Sequence, residues 1–164
     1  MAKPLAENEA RELIGAGKVG HLGCIVNGEP YVVPINYIFE DGAVYSHSMP
    51  GLKIEAMRAQ RRVCLQVEEI NDNFNWRSAL VYGDFEEIRV PSDRKTVLAK
   101  LMAHFPLLTP VESVLAHDGG APETIVFRIV VDRITGAAEV SFTEANDEKL
   151  YRARLLDPVF SGIQ

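Results

Sequence analysis

The stretch from residue 44 to residue 67 reads VYSHSMPGLKIEAMRAQRRVCLQV and changes character twice. A β-like run ends in Ser-His-Ser, breaks at Pro-Gly and restarts as a helix that we expect from about Gly51 to Gln60. Proline is tolerated in a first helical turn, and Ser48 is expected to cap the free amides. From residue 62 to residue 68 the pattern is β-like again. The corner between strand and helix therefore carries two hydroxyls, an imidazole and an ammonium.

Two hairpin signals lie upstream of this corner. Asn27-Gly28 and Asp41-Gly42 each follow a β-like run, and both dipeptides tolerate the positive φ of a two-residue hairpin. They predict three antiparallel strands in series, over residues 18–26, over residues 31–39 and from Ala43 onward. A short helix over residues 6–14 precedes them.

Downstream, residues 77–90 predict a long strand with a bulge at Gly83. Ser92 is expected to cap a helix whose apolar positions recur at three- and four-residue spacing: Val97, Leu98, Leu101, Met102 and Phe105. Strands over 124–131 and 136–142, joined by a turn at 133–135, complete the prediction. Hairpin connections favour an antiparallel barrel in one domain over residues 1–164, because parallel pairs need long crossovers.

Composition bounds the class of protein. The chain has 164 residues, a hydrophobic fraction of 47% and a formal net charge of -6, as expected of one globular domain that does not bind nucleic acid. No segment resembles a signal peptide or membrane span, so we expect a cytoplasmic protein without a membrane partner. Cys24 and Cys64 are expected to be buried free thiols. The scattered histidines predict no metal site.

The strand-to-helix corner is the candidate site. A helix N-terminus carries unpaired N–H groups and partial positive charge, to which Ser46 and Ser48 add hydroxyls. Lys53 adds a full charge in the first turn, where a cation opposes the helix dipole unless an anion is bound. The sequence therefore favours a phosphate site, although two capping serines and a solvated lysine give the same pattern.

The order and spacing of several segments resemble the pyridoxamine 5'-phosphate oxidase-like, FMN-binding split-barrel family, in particular its nitroimidazole-resistance branch. The resemblance runs from about residue 7 to residue 136. It rests on Pro30-Tyr31-Val32-Val33-Pro34, Asp41-Gly42, Tyr45-Ser46-His47-Ser48, Gly51-x-Lys53 and Val81-Tyr82-Gly83. It implies a mainly β fold, a six-stranded antiparallel split β-barrel with flanking helices, and a homodimer with FMN at the subunit interface.

The resemblance also implies which residues contact FMN. Lys53 is expected at the phosphate, with Ser46 and Ser48 near the phosphate and ribityl chain. His47 is expected beside the flavin, where an imidazole can donate a proton to a small-molecule substrate or stabilise negative charge on the ring. The alternative is a histidine that only forms a hydrogen bond at the barrel end. The remaining expected cofactor contacts are Pro34, Ile35, Asn36, Tyr37, Gly51, Leu52, Trp76, Arg77 and Ser78.

The substrate is less constrained than the cofactor. A vitamin B6 oxidase would carry basic residues where this chain has Val33-Pro34-Ile35-Asn36, and the final segment YRARLLDP lacks the histidine expected there. We therefore expect an FMN-dependent oxidoreductase acting on a small organic molecule, such as a nitro compound. A flavin-binding sensor or store without turnover and a haem-binding split barrel are the alternatives. The apolar end of the tail, near Leu155 and Phe160, is expected to pack on a partner subunit.

Overall fold

The structure is a computed structural model that describes residues 2–105 and 124–140. Within this part of the chain the helices are α1 (Glu7–Ala16), α2 (Leu52–Ala59) and α3 (Pro91–His104). The strands are β1 (Lys3–Pro4), β2 (Val19–Val26), β3 (Glu29–Asn36), β4 (Ile38–Glu40), β5 (Ala43–Ser48), β6 (Arg62–Asp72), β7 (Asn75–Glu87) and β8 (Ile125–Glu139). The predicted tail segment beyond residue 140 lies outside the described residues.

The strands form a single antiparallel sheet in the order β3-β2-β6-β7-β8-β5-β4, with β1 paired to β8. The mainly β split-barrel prediction is confirmed, but the sheet has eight strands rather than six. One added strand arises because Tyr37 interrupts the predicted strand over residues 31–39. Its N–H donates to the Lys18 carbonyl at 3.1 Å, and its buried hydroxyl donates to the Ile14 carbonyl at 2.6 Å. The two-residue strand β1 is the other addition.

Both predicted hairpin turns are confirmed. Asn27 and Gly28 have φ of 52° and 84°, and Asp41 and Gly42 have φ of 50° and 74°. The predicted antiparallel pairing is confirmed between β2 and β3 and between β4 and β5, but the middle strand is not continuous, and its two halves lie at opposite edges of the sheet. The sheet curls so that these edges approach, and the Ser46 hydroxyl donates to the carbonyl of Asn36 at 2.7 Å.

The longest ladder joins β7 and β8. Its register shifts between Tyr82 and Gly83, which confirms the predicted bulge. The predicted turn at residues 133–135 is wrong, because β8 continues through them to Glu139. Thr135 and Gly136 pair with Leu80 and Ala79, so the ladder with β7 holds this segment extended despite its turn-like sequence.

The helices cover the two sides of the sheet differently. Buried residues of α1 and α2, including Ile14, Ile54 and Met57, belong to the core inside the barrel. Helix α3 packs Val97 and Leu101 against Val126 of β8, outside the barrel. The predicted apolar stripe of α3 is therefore confirmed except at Met102, which is 39% exposed.

Several local predictions need correction or qualification. Helix α3 begins at Pro91 with Val90 as its N-cap, so Ser92 lies inside the helix and does not cap it. Cys24 is a buried free thiol as predicted, whereas Cys64 is only half-buried. Among the described residues, no helix is long and apolar enough to cross a lipid bilayer, and no cluster of His, Cys, Asp or Glu is arranged to hold a metal ion.

We predict opposite effects for one substitution at two glycines. A Cβ at Gly83 would lie 2.3 Å from the Val130 backbone oxygen, so Gly83→Ala must displace the ladder and cost about 1–3 kcal/mol of unfolding free energy. Gly15, in α1, has no neighbour within 4 Å of that position. Gly15→Ala should therefore stabilise by about 0.5–1 kcal/mol through helix propensity. Urea unfolding of both variants measures the two effects, and a neutral Gly83→Ala would contradict the packing at the bulge.

Candidate functional site

The site begins at the N-terminus of α2, which has no side-chain cap. The N-cap is Gly51, which has no side chain that could bond to the first N–H groups of the helix. Its carbonyl accepts from the N–H groups of Ile54 and Glu55 at 3.0 and 3.1 Å. The prediction that Ser48 caps this helix is wrong, because its hydroxyl donates to the Met49 carbonyl at 2.9 Å. The N–H groups that open a helix have no intrahelical acceptor, so this end attracts an anion.

Lys53 brings a full positive charge to this helix end. Its side chain is half-buried, and burial lowers the pKa of its ammonium, an effect that the nearby Cys24 thiol opposes. None of the ion pairs between described residues includes Lys53. A partly desolvated cation is costly unless an anion compensates it. Lys53 and the uncapped amides therefore fit a phosphate group.

The three residues of the Ser-His-Ser segment do not share one face of β5. Ser46 is 1% exposed and gives its hydroxyl proton to Asn36, so it holds the barrel together. His47 pairs with Val126, which belongs to the core on the α3 side. Because side chains alternate along a strand, Ser46 and Ser48 face the barrel interior while His47 faces α3. The structure therefore separates His47 from the two serines.

Residues 34–37 also divide between two environments. Ile35 and Tyr37 are buried in the barrel core, whereas Pro34 and Asn36 are exposed on the outer face of β3. Strand β3 is an edge of the sheet, and an edge strand offers backbone N–H and C=O groups that no neighbouring strand uses. Polar contacts to a ligand are thus available from the β3 edge. The side chains of Ile35 and Tyr37 point away from it.

The predicted contacts at the start of β7 divide in the same way. Arg77 forms an ion pair with Glu69, and this carboxylate raises the pKa of the guanidinium, as do Glu12 and Glu9 of α1. Arg77 is therefore surrounded by negative charge on the α1 side. Trp76 and Ser78 face the opposite, outer side of the sheet.

Within one chain, Ser78 is remote from the corner that holds Lys53. Ser78 and Glu87 are nine positions apart in β7, which is about 30 Å of extended strand. Glu87 pairs with Phe127 of β8, and Phe127 pairs with Ser46 of β5. The structure thus places Trp76 and Ser78 at one end of the long ladder and the Ser-His-Ser segment at the other.

The outer side of β3, β2, β6 and β7 forms a face that we call the open face. Its side chains are half-buried or exposed, and none belongs to either hydrophobic core among the described residues. The open face consists of Val32, Pro34, Asn36, His21, Gly23, Cys64, Gln66, Glu68, Ile70, Trp76, Ser78, Leu80 and Tyr82.

Sequence reasoning missed His21 and Gln66 as members of this face. The Asn27-Gly28 turn pairs Val26 with Glu29 and therefore His21 with Pro34. Since that turn is recognisable in the sequence, the His21–Pro34 pair could have been predicted from it. The pairing of His21 with Gln66 could not, because it joins strands separated by a helix.

Comparison with known proteins identifies the family. The family model described as pyridoxamine 5'-phosphate oxidase matches residues 6–138. The chain belongs to this family. A solved structure of an FAD-binding protein from Mesorhizobium loti is 32% identical, with a TM-score of 0.70, and the match covers 85% of this chain and 99% of that one.

Two further matches are more distant or partial. A candidate 5-nitroimidazole antibiotic resistance protein from Bacteroides thetaiotaomicron is 23% identical, with a TM-score of 0.68 over 84% of this chain and 87% of that one, and shares the fold. An uncharacterized protein of Rhizobium meliloti (strain 1021) is 36% identical over 84 residues, which are 51% of this chain. The matched segment is 56% of that relative, so this chain spans about half its length.

We predict that Lys53→Met leaves the ligand-free protein equally or more stable at pH 7. Burial lowers the folded-state pKa of Lys53, so between that value and the ordinary lysine pKa the unfolded chain binds more protons. The wild type therefore gains stability as the pH rises through this window, and its difference from Lys53→Met should shrink between pH 7 and 10. Thermal melting of the wild type and of Lys53→Met at pH 7 and at pH 10 measures this difference in stability.

Lys100→Met is the matched control, because Glu40 raises the pKa of Lys100. The stabilisation by that ammonium is present at pH 7 and is lost as the pH rises through the raised pKa, the opposite sign. A strongly destabilised Lys53→Met at pH 7 would mean that the ammonium supports the fold rather than awaiting an anion.

Proposed function

We propose that this protein is an FMN-dependent oxidoreductase that reduces a small organic substrate, such as a nitroaromatic compound. The observation that carries the proposal is Lys53, a half-buried ammonium without a described carboxylate partner at the uncapped start of α2. Family membership and the FAD-binding relative from Mesorhizobium loti support a flavin. We favour FMN over FAD because of the charge on the phosphate. The terminal phosphate of FMN carries more negative charge than either phosphate of the internal diphosphate of FAD, so it is the better partner for a single lysine.

The proposed contacts follow from the hydrogen-bonding groups and charges that the fold leaves available at each residue. The backbone of Gly51 and Leu52 and the side chain of Lys53 hold the phosphate end. The Ser48 hydroxyl oxygen, whose own proton bonds to Met49, accepts from a hydroxyl of the ribityl chain. At the edge of β3, the carbonyl of Pro34 and the N–H of Asn36 serve the ring, since the Asn36 carbonyl already accepts from Ser46 and proline has no N–H. Bound flavin would supply one- and two-electron exchange, while the protein supplies position, charge and exclusion of water.

His47 is the proposed proton donor. Its imidazole is half-buried at the end of β5, and a histidine can give or take a proton near neutral pH. Its position on the α3 side separates it from the two serines, so a substrate would approach from the end of β5. In this arrangement His47 serves turnover, whereas Lys53 serves binding.

A homodimer completes the proposed site. Trp76 and Ser78 lie far along β7 from the corner of their own chain, so a second copy is needed to bring these residues to α2. The open face and the exposed apolar side chains of Ile70 and Phe74, both 64% exposed, suit burial against that copy. Arg77 is not part of this contact, because α1 and Glu69 hold it on the other side of β7.

We predict that Leu80→Glu prevents dimer formation and thereby abolishes flavin binding. Leu80 is half-buried on β7 of the open face, and a carboxylate there would be desolvated by an opposing sheet. Met102→Glu on the exposed side of α3 is the control and should remain dimeric. Sedimentation velocity measures the oligomeric state. A dimeric wild type with an equally dimeric Leu80→Glu would remove the open face from the interface.

The test of the proposed function is the visible spectrum of the purified protein, followed by FMN titration. Oxidised flavin absorbs at about 370 and 450 nm, whereas a Soret band would identify haem. Lys53→Met should weaken FMN binding by about 10- to 100-fold, the effect of one charged hydrogen bond, with Lys100→Met unchanged. Equal FMN affinity in Lys53→Met would overturn the assignment of the phosphate to this corner.

Turnover separates an enzyme from a flavin-binding sensor or store. Reduction by NADH or NADPH and reoxidation by a nitroimidazole would support the oxidoreductase. Flavin that binds and is not reoxidised by any organic acceptor would favour the sensor. Cytoplasmic location is part of the same proposal.

A further inference from the structure

His21 lies in the middle of the open face. The β2–β3 ladder pairs it with Pro34, and the β2–β6 ladder pairs it with Gln66. Directly paired residues of antiparallel strands point to the same side, and neighbouring strands are about 4.8 Å apart. Pro34, His21 and Gln66 therefore form one line across three strands, about 10 Å long.

Gln66 connects this line to the start of β7. Its side-chain amide donates to the Ser78 hydroxyl at 3.2 Å and to a carboxylate oxygen of Glu68 at 2.9 Å. These two acceptors use both amide protons, which leaves the carbonyl oxygen of Gln66 as its remaining polar atom. Imidazole, amide and hydroxyl thus follow one another across the face; we call His21, Gln66 and Ser78 the polar row.

The polar row ends at Ser78 on β7, and Pro34 on β3 lies directly beyond its other end, His21; both Pro34 and Ser78 are proposed cofactor contacts. In the proposed dimer the copy that brings Ser78 to the cofactor also brings its own Pro34, and a ligand that reaches both on that copy must pass over its His21. Next to His21 on the same face of β2 is Gly23, and the Cys64 sulfur lies 2.8 Å from the position that a Cβ of Gly23 would take. Gly23 has no side chain and Cys64 has a small one, so the surface beside His21 on this side rises little above the sheet.

The chemistry of the polar row selects a class of ligand. A planar heteroaromatic ring with alternating donors and acceptors along its edge can exchange hydrogen bonds with an imidazole, an amide oxygen and a hydroxyl while stacking on a flat sheet surface. The titratable groups that face His21 from β6 are Glu68 and Cys64, and β3 contributes none on this side.

We propose that His21 contacts the ring of the bound flavin. The hydrogen bond between Gln66 and Ser78 holds β6 and β7 in place beside it. This inference rests on the proposed function, because the ligand is the flavin of that site. It adds a residue that neither the motif at the strand-to-helix corner nor the ion pairs of the protein indicate. His21 serves the ring, whereas Lys53 serves the phosphate.

The experiment uses the full-length protein and FMN itself. His21→Ala should weaken FMN binding by about 5- to 10-fold, the effect of one neutral hydrogen bond, and should shift the absorption maximum of the bound flavin. His21→Gln keeps a hydrogen-bond donor, so it should restore part of the FMN affinity and part of the wild-type absorption maximum. His104→Gln, on the exposed end of α3, is the matched control and should behave as the wild type. Thermal melting verifies that every variant is folded.

A second readout needs no loss of affinity. The imidazole proton resonances of the histidines are recorded during FMN titration, and the spectrum of His21→Gln assigns that of His21. The His21 resonance should move on saturation while that of His104 stays in place. FMN that binds the wild type without moving the His21 resonance, and with equal affinity and spectrum in His21→Ala, would overturn the role of His21 alone. A wild type that does not bind FMN would overturn the proposed function and this inference together.

Discussion

The hydrogen bond from Ser46 to the carbonyl of Asn36 brings together parts of the sheet that are far apart in strand order. Asn36 ends β3 at one edge, while β5 lies next to β4 at the other edge. Because α2 follows β5 in the chain, this closure sets α2 against β2 on the far side of the barrel. Lys53 consequently lies near Cys24 of β2 and loses much of its water. The burial of Lys53 thus depends on how the barrel closes at Ser46 and Asn36.

The two cations predicted at the site differ in what surrounds them. Arg77 lies among Glu69, Glu12 and Glu9, so its charge is neutralised within the fold. At Lys53, burial disfavours the charge and lowers the pKa, and only the Cys24 thiol opposes this. The sequence presents both as basic residues beside hydroxyls. Only tertiary structure reveals that one is compensated and the other is not, because the compensating carboxylates come from another helix and another strand.

Most of the secondary structure could be predicted because its signals are local. Asn27-Gly28 and Asp41-Gly42 require positive φ, and the α3 stripe requires only helical periodicity. The opposite faces of Ser46 and His47 could also have been predicted, since alternation along a strand is a local rule. The break at Tyr37 could not, because the bonds that cause it go to Lys18 and Ile14, which belong to other segments.

The hairpin of β6 and β7 extends past its neighbour. Strand β2 pairs with β6 only from His21 to Gly23, so residues 68–72 of β6 have no strand on that side in the described part of the chain. Such an edge invites a strand of another molecule to add to the sheet. Here it carries Glu68 and Asp72, whose like charges would repel the same edge of another copy. Chains of this protein are thereby steered away from fibrous edge-to-edge growth.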